Sequence, residues 1–148
     1  MAECKYIHLN LDLNSNLRAD HIQSFHIHKL VLKCPIKTSE LFKLIDKQPF
    51  LEVLDITSQS NEFEGMSGDE LDYDLQPFKS NIKQLFFKYQ HKRYTDDQAA
   101  DILIRLMQRL PNLRKVVGND LAKNKVEDFV KSSLGKYPHL ANIALVFN

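Results

Sequence analysis

One phrase recurs six times along this chain: an apolar residue, a second three positions on, and a third two beyond that, L-x-x-L-x-L. It appears as Tyr6-Leu9-Leu11, Ile27-Leu30-Leu32, Leu51-Leu54-Ile56, Ile82-Leu85-Phe87, Leu113-Val116-Gly118 and Leu140-Ile143-Leu145. The middle residues fall at 9, 30, 54, 85, 116 and 143, in steps of 21, 24, 31, 31 and 27. A recurrence of this period marks stacked repeats, in which each short strand buries its apolar side only against its neighbours. Such stacks present surfaces, so the functional question becomes what the surface binds.

Segments with helical spacing lie between the phrases. Thr38-Ser39-Glu40 opens one, whose Leu41, Phe42, Leu44 and Ile45 share a face before Gln48-Pro49. A second starts at Thr95, a good N-cap, with Asp96 and Asp97 complementing the first-turn dipole. Its Ala99, Ile102, Leu103, Leu106, Met107 and Leu110 keep the i, i+3, i+4, i+7 pattern. A third, from about Val126 to Tyr137, directs Val126, Phe129, Val130 and Leu134 inward.

Each helix ends in the same joint: Pro49-Phe50-Leu51, Pro111-Asn112-Leu113 and Pro138-His139-Leu140. Proline has no amide donor and biases the preceding residue away from the α region, so it stops the helix and hands the chain to a strand. Crossovers long enough for a helix require parallel strands. The expected fold is therefore α/β: a curved parallel sheet of about five or six strands, roughly 25 Å across, with helices on the convex face only. Residues between the core positions are largely polar, whereas strands covered on both faces read as continuous apolar runs. The whole chain, 1–148, is expected to form a single domain.

Composition narrows the function classes. Twenty basic and 19 acidic side chains leave a formal charge of +1, without the basic excess of a dedicated nucleic-acid binder. The first 13 residues alternate like a strand and do not resemble a signal peptide. No stretch approaches the ~18 apolar residues of a membrane span. Cys4 and Cys34 are few enough to be free thiols, so an intracellular location, cytoplasm or nucleus, is expected. The first phrase begins by residue 6 and the last stops at Asn148. Neither end offers the polar cap that terminal repeats need, which points to a longer chain.

Together the phrases and joints resemble the leucine-rich-repeat family, in its ribonuclease-inhibitor-like and F-box-associated branch with full helices. The family pattern continues to an Asn or Cys three residues after the last leucine. The first and last phrases meet it with Asn14 and Asn148, and Cys34 comes one position early. Gln59, Gln90 and Leu121 stand there in the others, so the asparagine ladder is mostly missing. The resemblance implies a non-enzymatic adaptor or scaffold that binds a protein or peptide on its concave face, as the substrate-recognition part of a ubiquitin-ligase adaptor does. No F-box-like helical module precedes the repeats, so that association rests on analogy. The alternative is an RNA-associated repeat domain of the nuclear-export type.

No catalytic constellation stands out, and no cofactor or metal is expected. His26-x-His28 lacks a third ligand and reads as a pair of edge histidines. Gly65-Met66-Ser67-Gly68 misses the second glycine position of a nucleophile elbow. Phosphate-loop, dinucleotide and C-x-x-C patterns are absent from the sequence. Lys88 to Tyr94, KYQHKRY, mixes basic and aromatic residues as single-stranded nucleic-acid surfaces do, but also suits a polar loop. Residues 59–76 hold six acidic side chains and no basic ones, and fall where the third helix belongs. They fit either an acidic loop, with a short helical turn near Asp69 to Leu75, that merely solvates an insertion, or one that docks a basic partner.

Alternation along the strands then lays out the concave face. With Leu9, Leu30, Leu54, Leu85, Val116 and Ile143 inward, the central column is Asn10, Val31, Asp55, Phe86, Val117 and Ala144. One flank is His8, Lys29, Val53, Gln84, Lys115 and Asn142, and the other is Asp12, Lys33, Thr57, Lys88, Asn119 and Val146. Phe86, near Val31, Val53 and Val117, edged by Lys29, Lys33, Lys88 and Lys115 and bordered by Asp55 and Gln84, has the composition of an interface anchor with a charged rim.

Overall fold

Each strand phrase becomes a strand, and each strand pairs with the next in sequence. The computed structural model describes residues 2–9, 25–32, 38–57, 77–88, 96–120 and 123–148. The strands are β1 (Ala2–Leu9), β2 (Phe25–Leu32), β3 (Val53–Thr57), β4 (Gln84–Lys88), β5 (Lys115–Gly118) and β6 (Ala144–Phe147). They form one sheet in the order β1 to β6, and every adjacent pair is parallel. Helices α1 (Thr38–Lys47), α2 (Asp96–Arg109) and α3 (Lys123–Ser133) and a 3-10 turn (Pro138–Asn142) supply the described crossovers.

The helices cover one face. Leu30, Leu32, Leu54, Ile56, Leu85, Phe87 and Val116 join a single core with Leu41, Leu44 and Ile45 of α1, Leu103, Leu106 and Met107 of α2, and Val126 of α3. Val31 and Val117, of opposite parity, are not in that core. The residues that open the second to sixth phrases are buried too: Ile27, Leu51, Ile82, Leu113 and Leu140.

The three proline joints share one hydrogen bond. The amide of Leu51 donates to the Gln48 carbonyl (3.2 Å), that of Leu113 to Leu110 (3.3 Å) and that of Leu140 to Tyr137 (3.1 Å). In each the acceptor precedes proline and the donor opens the phrase, an i to i+3 turn. A second row repeats just outside the strands: Glu52 N–H donates to His28, Lys83 to Glu52, Arg114 to Lys83 and Ala144 to Arg114, each at 2.8 Å. The middle residue of each joint reaches back to earlier chain. Phe50 lies on the His26 ring (4.8 Å between centroids), the Asn112 amide donates to the Ser80 carbonyl (3.1 Å), and His139 Nε2 is 2.8 Å from the Met107 carbonyl.

Several expectations are corrected at the ends of the sheet. Ile7, not Leu9, pairs with Leu30, and Leu145, not Ile143, pairs with Val116. At the C-terminal end the 3-10 turn is the cause, because it inserts two extra residues between Leu140 and the start of the strand ladder. Asn148 consequently follows Phe147 directly and does not hold the ladder position of the repeat pattern; its amide donates to Gly118 at 3.0 Å. Helix α3 starts at Lys123 and stops at Ser133, so Leu134, expected inward, is 39% exposed. Thr95, Asn14, Cys34, Lys33, the acidic stretch 59–76 and the segment after Lys88 lie outside the described residues.

Gly118, the odd residue in its phrase, has a steric reason. It pairs with Phe87 on one side and Phe147 on the other, and a β-carbon there would lie 3.2 Å from the Phe147 ring. A side chain added there must shift the Phe147 ring by a few tenths of an ångström, with the Phe87 carbonyl oxygen 3.5 Å away on the other side.

Candidate functional site

The face opposite the helices is laid out by register. Its central row is His8, Val31, Asp55, Phe86, Val117 and Val146. The end strands thus contribute His8 and Val146 where Asn10 and Ala144 were expected, while the four inner positions are as anticipated. One flanking row runs Tyr6, Lys29, Val53, Gln84, Lys115 and Ala144, with Tyr6 in place of His8 and Ala144 in place of Asn142. On the other flank Thr57 pairs with Lys88.

Phe86 and Phe87 separate as strand alternation requires. Phe87 is 2% exposed in the core, and Phe86 is half-buried on the open face. Along β4 the pattern is an exposed Gln84, a buried Leu85, a half-buried Phe86, a buried Phe87 and a half-buried Lys88. A phenyl ring held at this level by a rigid strand loses little freedom when covered, which suits it to anchor an interface.

Its apolar neighbours are less available than their parity implies. Val31 is 6% and Val117 is 7% exposed. Val117 stands between Phe86 and Val146 in the row, and Val31 beside Asp55. They form the floor around Phe86 and are not contact residues in their own right. Val53 and Asp55 are half-buried, and Lys29, Gln84 and Lys115 are exposed. Phe86 is thus a half-buried aromatic at the middle of a face that also carries the exposed Val146 and several polar groups.

Two further features were not legible as sites. Phe50, 48% exposed, lies beside His26 and His28 at 4.8 and 6.5 Å between ring centroids. The one signal for it is its place between proline and leucine in the joint. A shallow groove of about 520 Å³ runs between α2 and α3, lined by Ile104, Phe129 and polar residues, and bridged by a 2.8 Å ion pair from Lys125 to Asp101. Its open walls do not converge on a reacting centre. Among the described residues no three His, Cys, Asp or Glu side chains are placed to hold a metal, and no helix is long and apolar enough to cross a membrane.

Compared with protein-family models, with curated proteins and with solved structures, the chain has no significant match in any of the three.

Proposed function

We propose that this chain is a leucine-rich-repeat-type solenoid that acts as a non-enzymatic adaptor, binding another protein through the open, concave face of its sheet. Two regularities support the solenoid: strands ordered as in the sequence, and joints that repeat the same hydrogen bond from Leu51, Leu113 and Leu140. Units stacked in this way contact only their neighbours and leave one sheet face clear of crossovers.

The observation that carries the binding reading is Phe86, a half-buried aromatic at the middle of that face with lysines on the strands around it. Aromatic anchors inside a polar rim account for most of the energy of protein interfaces. An RNA-binding face would need several stacking aromatics. On strands β3 to β5 this face offers one aromatic, Phe86.

The test is affinity capture with wild type and Phe86→Ala, followed by measurement of the captured partner's affinity in purified form. A partner that is lost with Phe86→Ala, at an unchanged thermal midpoint, supports the reading. A partner that binds both proteins equally places the interface elsewhere, and binding that collapses steeply with salt points to nucleic acid instead.

A further inference from the structure

We infer that the open face recognises an extended acidic segment of the form acidic-x-apolar-x-acidic, with the apolar side chain on Phe86 and the two carboxylates on Lys88 and Lys115. This rests on the proposed role of the face in protein binding and goes on to specify the partner's chemistry.

Register sets the geometry. Lys88 lies two residues beyond Phe86 on β4; Lys115 pairs with Gln84, two residues before Phe86, on β5. The two lysines therefore flank Phe86 at opposite ends along the strand direction. Four residues of strand and one strand spacing put their backbones about 14 Å apart. An extended peptide covers about 13 Å over four residues, and its positions i, i+2 and i+4 point to one side. Three side chains of a single strand can thus meet Lys88, Phe86 and Lys115 together.

Charge selects the sign and the track. Neither Lys88 nor Lys115 has an ion-pair partner among the described residues, although three other lysines do. Both are anchored on strands, so pairing with a carboxylate fixes only the side-chain stem. The segment lies along β4 and β5, the two strands that carry these lysines. Val117, 7% exposed beside Phe86, supplies a closed apolar floor for the central side chain.

The experiment is selection of phage-displayed random dodecapeptides on the full chain, with Phe86→Ala as counter-selection, followed by fluorescence anisotropy on synthetic winners. The inference expects Asp or Glu two residues on each side of a large apolar residue. Phe86→Ala should weaken binding at least about tenfold, and Lys88→Glu and Lys115→Glu about three- to tenfold each at low salt. Replacing one peptide carboxylate by lysine should restore binding to Lys88→Glu but not to Lys115→Glu, and replacing the other should do the opposite. Winners that need Phe86 but lack the acidic spacing overturn this inference and leave the protein-binding proposal standing. Winners indifferent to Phe86 overturn both. Failure of any peptide to enrich on wild type over Phe86→Ala, or Phe86-dependent binding of a labelled single-stranded RNA alone, overturns the inference as well.

Discussion

Gly118 and Phe147 face each other across β5 and β6, so close that a β-carbon on the glycine would meet the phenyl ring at 3.2 Å. Gly118→Ala pushes the ring by a few tenths of an ångström while it reduces unfolded-state freedom, two effects of similar size and opposite sign. Gly118→Val adds two more methyl groups beside the Phe147 ring and should cost about 1–3 kcal/mol by overpacking. Urea denaturation of the pair checks this. A valine variant as stable as wild type would mean that the Phe147 ring does not close on residue 118.

Phe86→Ala and Leu85→Ala test the facing of β4. Leu85 is wholly buried, and its truncation should cost about 2–5 kcal/mol through the cavity it leaves. Phe86→Ala should cost clearly less, since its ring already meets solvent on the open face, and should chiefly affect binding. Chemical denaturation of both variants suffices; the reverse ranking would mean a one-residue slip of the strand.

Arg109 closes the end of α2 with its guanidinium 3.7 Å from the centroid of Phe78 and 5.4 Å from that of Phe42. The two rings also meet edge-on at 5.6 Å, and Phe78 N–H donates to the Arg109 carbonyl at 2.8 Å. Arg109→Ala should destabilise by about 0.5–2 kcal/mol through the lost cation–π contact, with the backbone bond kept. Arg109→Lys should recover part of it, read as a thermal-midpoint shift. Equal loss in both variants would implicate the fork of the guanidinium and not its charge.

Leu134 distinguishes the observed end of α3 from the longer helix expected of its periodicity. At 39% exposure, Leu134→Ser should change stability by no more than about 1 kcal/mol. Val126→Ala, wholly buried on the same helix, should cost more than that. Thermal melts of the two variants decide the matter, and a Leu134→Ser loss exceeding that of Val126→Ala would restore the longer helix.

What could be read from residues alone was whatever short-range covalent geometry dictates. Leu30, Leu54, Leu85 and Val116 were identifiable as inward, in mutual register, because strand side chains alternate with a strict period of two. The joints at Pro49, Pro111 and Pro138 were legible because proline constrains its own and the preceding backbone wherever it stands. Parallel pairing followed from the crossover lengths. Tertiary structure decided whatever depends on a neighbour's height or on how the chain spends spare residues. The 3-10 turn at Pro138–Asn142 absorbs two residues and moves Leu145 opposite Val116; the intact phrase Leu140-Ile143-Leu145 concealed this. Val31 and Val117 have the parity of open-face residues but are only 6% and 7% exposed, which alternation alone does not indicate. Gly118 looked like a defect in its repeat, and its close fit became visible only once β6 brought Phe147 alongside.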